Sequence, residues 1–125
     1  MNYTMAYLDN LPDWVGGRCI YPTFSLFGLG TCRIVIRPKY KEDIGIHNHE
    51  ICHATQYKRD WFHALKYKFS AEYRLEAELE AYTSQVKAYN YTDISQAIWI
   101  VNALVKKYDL DYSRDYLTER VRGLL

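Results

Sequence analysis

Two of the chain's four histidines stand four residues apart, in His49-Glu50-Ile51-Cys52-His53. No other feature of the sequence constrains the local fold as much. Residues at i and i+4 share one face of an α-helix, so on a helix both imidazoles can converge on a single ion. On a helix of 3.6 residues per turn, Glu50 lies about 100° from His49 and about 60° from His53. It flanks the ion rather than competing for it and can reach a water bound there, the place for a general base. The plainer alternative is a solvated helix face with an accidental spacing.

The surrounding pattern supports a helix at this point. Turn punctuation is concentrated before residue 40, at Pro12, Gly16-Gly17, Pro22, Gly28, Gly30 and Pro38. Within that part Arg33-Ile34-Val35-Ile36-Arg37 alternates and is β-branched, which predicts a strand ended by Pro38. Cys19 to Phe27 is expected to supply one or two short partner strands. From Ile44 the period becomes helical, giving a first helix over about Ile44–Lys58 and an aromatic, partly helical connection from Trp61 to Phe69. Ser70 is a plausible N-cap for a helix from Ala71 to about Tyr89. Thr92 caps a third helix, with a buried stripe of Ile94, Ala97, Ile98, Val101, Leu104, Val105 and Tyr108. Ser113 starts a last helix through Val121. The expected fold is α+β, one compact domain over 1–125. A small N-terminal β-sheet precedes the active-site helix, a glutamate helix and C-terminal helices.

A third ligand has several candidates. Along Arg74-Leu-Glu-Ala-Glu-Leu-Glu-Ala-Tyr82 and on to Val86, the residues Leu75, Leu79, Tyr82 and Val86 form one apolar stripe. Measured from Leu75, Glu78 falls about 60° away, Glu76 about 100° and Glu80 about 140°. Glu78 alone is carried toward the core, where a metal would offset the cost of an unpaired carboxylate. The alternative is a buried partner for Arg74 or for a tyrosine hydroxyl. Glu76 and Glu80 read as solvated charges. His63, between Trp61-Phe62 and Ala64, is the other candidate ligand, although a lone histidine there is more often simply packed.

The stretch His49-Glu-Ile-Cys-His-Ala-Thr-Gln56, the aromatic connection and Glu78-Leu-Glu-Ala-Tyr82 resemble the minimal gluzincin metallopeptidases, or minigluzincins. The resemblance covers about residues 31–90 and implies His49, His53 and Glu78 as zinc ligands with Glu50 as base. It also implies that the strand before the active-site helix lies along an extended substrate. Tyr82 stands where many relatives carry Asp, which leaves the partner of one histidine open. His-Glu-x-Cys-His-Ala also resembles the SprT-like zinc proteins, in which His63 would be the third ligand.

The expected chemistry is zinc-dependent hydrolysis of a peptide or protein substrate, with one Zn2+ per chain and Tyr73 or Tyr82 as oxyanion donor. Strand Arg33–Arg37 would receive the substrate by edge addition. The competing class is a non-catalytic domain that uses zinc to hold its helices together. His47 is expected at the surface or behind the ligands, and Cys52 as a small packed thiol. With 16 basic and 15 acidic residues interspersed, nothing points to nucleic acid or an anionic membrane. Three cysteines are too few for a disulfide scaffold, and Met1 to Trp14 lacks the pattern of a signal peptide, so a cytoplasmic setting is expected. No apolar run approaches the length of a membrane span.

Overall fold

The computed structural model describes residues 3–22, 26–107 and 111–125. Among them the chain is α+β, with a three-stranded N-terminal sheet followed by five helices. The strands are β1 (Tyr3–Tyr7), β2 (Gly17–Ile20) and β3 (Cys32–Ile36), in the order β1-β3-β2. β1 runs parallel to β3, with Tyr3 opposite Cys32 and Tyr7 opposite Ile36. β2 runs antiparallel to β3, from Gly17 opposite Ile36 to Ile20 opposite Arg33.

The strand expected over Arg33–Arg37 is therefore the central one, hydrogen-bonded on both sides. It cannot receive a substrate by edge addition, and β2 is the edge strand beside the helices. A second correction concerns the N-terminus, where Tyr3-Thr-Met-Ala-Tyr7 forms a strand that local pattern does not predict. Of the stretch Cys19 to Phe27, residues 23–25 lie outside the described part.

Five helices follow: α1 (Ile44–Arg59), α2 (His63–Phe69), α3 (Ala71–Val86), α4 (Asp93–Lys107) and α5 (Arg114–Arg122). Their starts follow local chemistry. The side chains of Asp43, Ser70 and Ser113 accept hydrogen bonds from the Ile46, Tyr73 and Tyr116 amides, and Thr92 Oγ1 accepts from Ser95 N at 3.2 Å. Between α1 and α2 the chain turns at Phe62, whose φ of 63° lies in the left-handed region. For a bulky residue that conformation costs about 1–2 kcal/mol. The turn leaves Trp61 and Phe62 outside while His63 is buried.

Two hydrophobic clusters flank the middle of the molecule. One joins Cys32, Ile34 and Ile36 of β3 to Ala54 and Tyr57 of α1. The other packs Leu75, Leu79, Tyr82 and Val86 of α3 against α4 and α5. α1 and α3 pack directly on each other, so the inner faces of both helices meet between the two clusters. On α4 the buried face is Ala97, Ile100, Val101 and Leu104, whereas Ile94, Ile98 and Val105 of the expected stripe are exposed. Apolar residues occupy more than one stripe of this helix, and packing against α3 and α5 selects the one with Ile100. Tyr108, also in that expectation, lies outside the described residues. No helix among the described residues is long and apolar enough to cross a membrane.

Candidate metal centre

α1 and α3 bring the expected ligands together. His49 Nε2 lies 3.2 Å from Glu78 Oε1, His53 Nε2 lies 3.1 Å from Glu78 Oε2, and the two imidazole nitrogens are 3.2 Å apart. All three residues are buried, and among the described residues they form a group able to hold a metal ion. Ligand bonds of about 2.0–2.1 Å in tetrahedral array place donor atoms about 3.3 Å apart, close to these separations. Glu78 Oε1 is buried without a hydrogen-bond partner. A buried carboxylate oxygen that faces the His49 imidazole nitrogen without a hydrogen bond fits an ion better than it fits a dry core.

The electrostatics agree. Burial would raise the pKa of Glu78, but the His53 and His49 imidazoles outweigh it and hold the carboxyl well below its usual range. Burial likewise works to lower the pKa of His53, yet the Glu78 carboxylate beside it raises it to about 9. Without an ion, the carboxylate thus keeps a proton on its histidine partner.

The two histidines are held differently. His53 Nδ1 lies 2.9 Å from Gln56 Oε1, and Gln56 Nε2 donates to the Ala77 carbonyl at 2.9 Å and to Glu80 Oε1 at 2.8 Å. Glu80 also receives Arg59, which makes it part of the framework behind His53 and not the plain solvated charge expected from its wheel position. His49 Nδ1 has no hydrogen-bond partner. Tyr82 packs edge-on against His49 at 4.4 Å between ring centroids. At the position where the resemblance calls for Asp, the chain supplies ring packing.

Tyr67 completes the group by donating to Glu78 Oε2 at 2.5 Å. The sequence reading allowed a tyrosine hydroxyl as partner for Glu78, and the structure gives the carboxylate both a tyrosine and two histidines. Arg74, the other partner considered, donates instead to the Tyr67 carbonyl oxygen at 2.8 Å. Glu76 pairs with Arg120 of α5 at 2.6 Å.

A cavity of about 690 Å3 opens on the site, lined by Glu50, His49, His53, Glu78, Tyr21 and Tyr82 among others. Gly16, Gly17, Arg18 and Cys19 form its wall on the β2 side. Gly17 has a geometric reason to lack a side chain. A Cβ there would lie 3.2 Å from Glu50 Cγ and 3.4 Å from Glu50 Oε2.

Other candidates fall outside the group. His63 Nδ1 lies 2.6 Å from Tyr73 Oη and His63 Nε2 lies 2.9 Å from Tyr21 Oη, so both ring nitrogens are engaged away from His49 and His53. Tyr73 faces His63 and Asp60 and does not line the cavity, unlike Tyr82. His47 bonds the Asp43 carbonyl and Tyr7 Oη, tying α1 to β1. Cys52 accepts from Gln56 Nε2 at 3.6 Å and is a packed thiol beside α3. Tyr21 and Tyr67 are the site residues missed in the sequence. Thirteen tyrosines gave no way to rank them. No family model, curated protein or solved structure matches the chain.

Proposed function

We propose that the chain is a zinc-dependent peptidase of the gluzincin kind, with a zincin-like fold. His49, His53 and Glu78 would hold one Zn2+, and Glu50 would act as general base. One observation carries the reading above all. Glu50 lines the same cavity as a group of three donors at metal-like separations, and a purely structural site has no use for a carboxylate there. A bound zinc would lower the pKa of a water toward about 7 and polarise a substrate carbonyl. A Glu50 carboxylate oxygen accepts the proton that the attacking water loses and returns it to the leaving amine nitrogen. Gln56 keeps the lone pair of neutral His53 Nε2 directed at the site. The edge strand β2 borders the cavity, where an extended peptide or protein substrate can add its backbone.

A non-catalytic zinc clip is the second reading, favoured by the way the ligands join α1 to α3 between two separate clusters. Metal content and hydrolysis of a quenched peptide library by wild type and Glu50→Gln decide between them. The peptidase reading expects one zinc in both proteins and hydrolysis in wild type alone. Zinc in both without hydrolysis in either supports the clip, and absence of zinc from wild type prepared with zinc present overturns both.

A further inference from the structure

We propose that Tyr21 is a hydrogen-bond acceptor for a substrate N–H group in the cavity, and that His63 is the positioning residue that fixes it in that role. The identity of the donor rests on the peptidase reading. The proton order that makes Tyr21 an acceptor rests on the hydrogen-bond geometry around a neutral His63 and is independent of that reading.

A continuous chain of hydrogen bonds runs from the surface to the cavity wall. Arg59 donates to Asp60 Oδ1 at 3.1 Å and to Oδ2 at 3.2 Å, and Tyr73 Oη lies 2.9 Å from Asp60 Oδ2. A carboxylate only accepts, so the single phenolic proton of Tyr73 is directed at Asp60. His63 Nδ1 stands 2.6 Å from that same Tyr73 Oη. With the phenolic proton engaged elsewhere, the donor in this contact is His63 Nδ1–H. Burial lowers the His63 pKa to about 4, so near neutrality the ring carries one proton and Nε2 is bare. Tyr21 Oη, 2.9 Å from Nε2, must then be the donor in that contact. One carboxylate at the far end orders every proton in the chain.

The consequence lies in the cavity, which Tyr21 lines beside the metal group. Its ring is held by stacking on Tyr57 at 5.3 Å and by the edge of His63 at 5.0 Å. With its proton directed at His63, its oxygen offers only lone pairs. Tyr67 is committed in the same way to Glu78. Tyr21 is therefore unsuited to stabilise an oxyanion, and its chemical complement is a donor, a backbone amide N–H or an ammonium of a peptide.

Two measurements test this. In zinc-loaded wild type labelled with 15N-histidine, His63 should show a protonated Nδ1 and an unprotonated Nε2 at pH 7. Hydrolysis is then followed for a quenched peptide and for analogues each N-methylated at one backbone amide. Wild type should lose about tenfold in kcat/KM at one position, the usual worth of one hydrogen bond. Tyr21→Phe should lose about tenfold on the parent peptide and nothing more at that position, with zinc content unchanged. A protonated Nε2 overturns the proposal without any variant, because Tyr21 would then be free to donate into the cavity. Glu50-dependent hydrolysis with the same N-methyl profile in wild type and Tyr21→Phe overturns this proposal alone. No Glu50-dependent hydrolysis of any peptide overturns the peptidase reading and this proposal with it.

Discussion

Gln56 Oε1 lies 2.9 Å from His53 Nδ1, and the opposite end of the same amide is fixed by two acceptors. Because the Ala77 carbonyl and Glu80 can only accept from Gln56 Nε2, the amide oxygen must face the histidine. His53 then donates from Nδ1 and, when neutral, presents its Nε2 lone pair to Glu78 and His49. Partners of this kind are typically worth 10–100-fold in metal affinity. Gln56→Leu should therefore weaken zinc binding by about that factor while the helices persist, as read by competition with a chromophoric chelator. Unchanged affinity would show that packing alone orients His53.

The site was legible where one helix carries its own geometry. His49, Glu50 and His53 were placed by spacing, and Glu78 by its angle to the apolar stripe of Leu75, Leu79 and Tyr82, which lies within the buried face of α3. Ser70 and Ser113 were legible for a similar reason, since a cap is a contact over three residues. What stayed hidden depends on contacts distant in sequence. Gln56 reaches α3 across 21 residues to Ala77, and Tyr21 meets His63 across 42. The central position of β3 depends on which strands pair with it, and alternation within Arg33–Arg37 says nothing of neighbours. On α4 the sequence offered more apolar surface than the core uses, so periodicity chose the wrong edge of the stripe.

Gly17 should set the position of Glu50. A methyl there would stand 3.2 Å from both Glu50 Cγ and Ile46 Cγ2, so something must give by a few tenths of an ångström. Gly17→Ala is expected to retain zinc and to lower kcat by about tenfold, since misplacing a catalytic group by a fraction of an ångström is costly. Gly16→Ala meets Tyr40 and Ile46 at 3.3–3.4 Å and leaves Glu50 alone, so it should keep near-normal kcat. Equal kcat in the two variants would remove β2 from the account of how the base is placed.

His63 should impose an acid limit on stability. Its pKa is lowered from 6.5 to about 4 by burial first of all, so the folded protein binds fewer protons than the unfolded chain between those values. The contribution is fully present above about pH 6.5 and is lost as pH falls through about 4. A shift of this size corresponds to about 3 kcal/mol. Urea unfolding of metal-free wild type and His63→Gln across pH 4 to 7 should show a shallower pH dependence in the variant by about that amount. Parallel curves would mean that His63 is not the group responsible.

The ligand set itself makes the final prediction. Glu78 is 1% exposed and meets both imidazoles, whereas Glu76 and Glu80 pair with Arg120 and Arg59 on the outside of the helix pair. His63 has both nitrogens bound to tyrosine hydroxyls. Glu78→Gln, His49→Ala and His53→Ala should lose most zinc at micromolar free metal, while Glu76→Gln, Glu80→Gln and His63→Ala keep it. A metal here would join α1 to α3, so zinc at a thousandfold excess over Kd should stabilise wild type by about 4 kcal/mol relative to chelator, seen as a higher unfolding temperature. The three ligand variants should show no such difference. Glu80→Gln is the most informative control, because it leaves an oxygen to accept from Gln56 and so separates holding His53 from binding metal. Loss of zinc from His63→Ala with retention in Glu78→Gln would move the third ligand to α2 and replace the gluzincin reading with the SprT-like one.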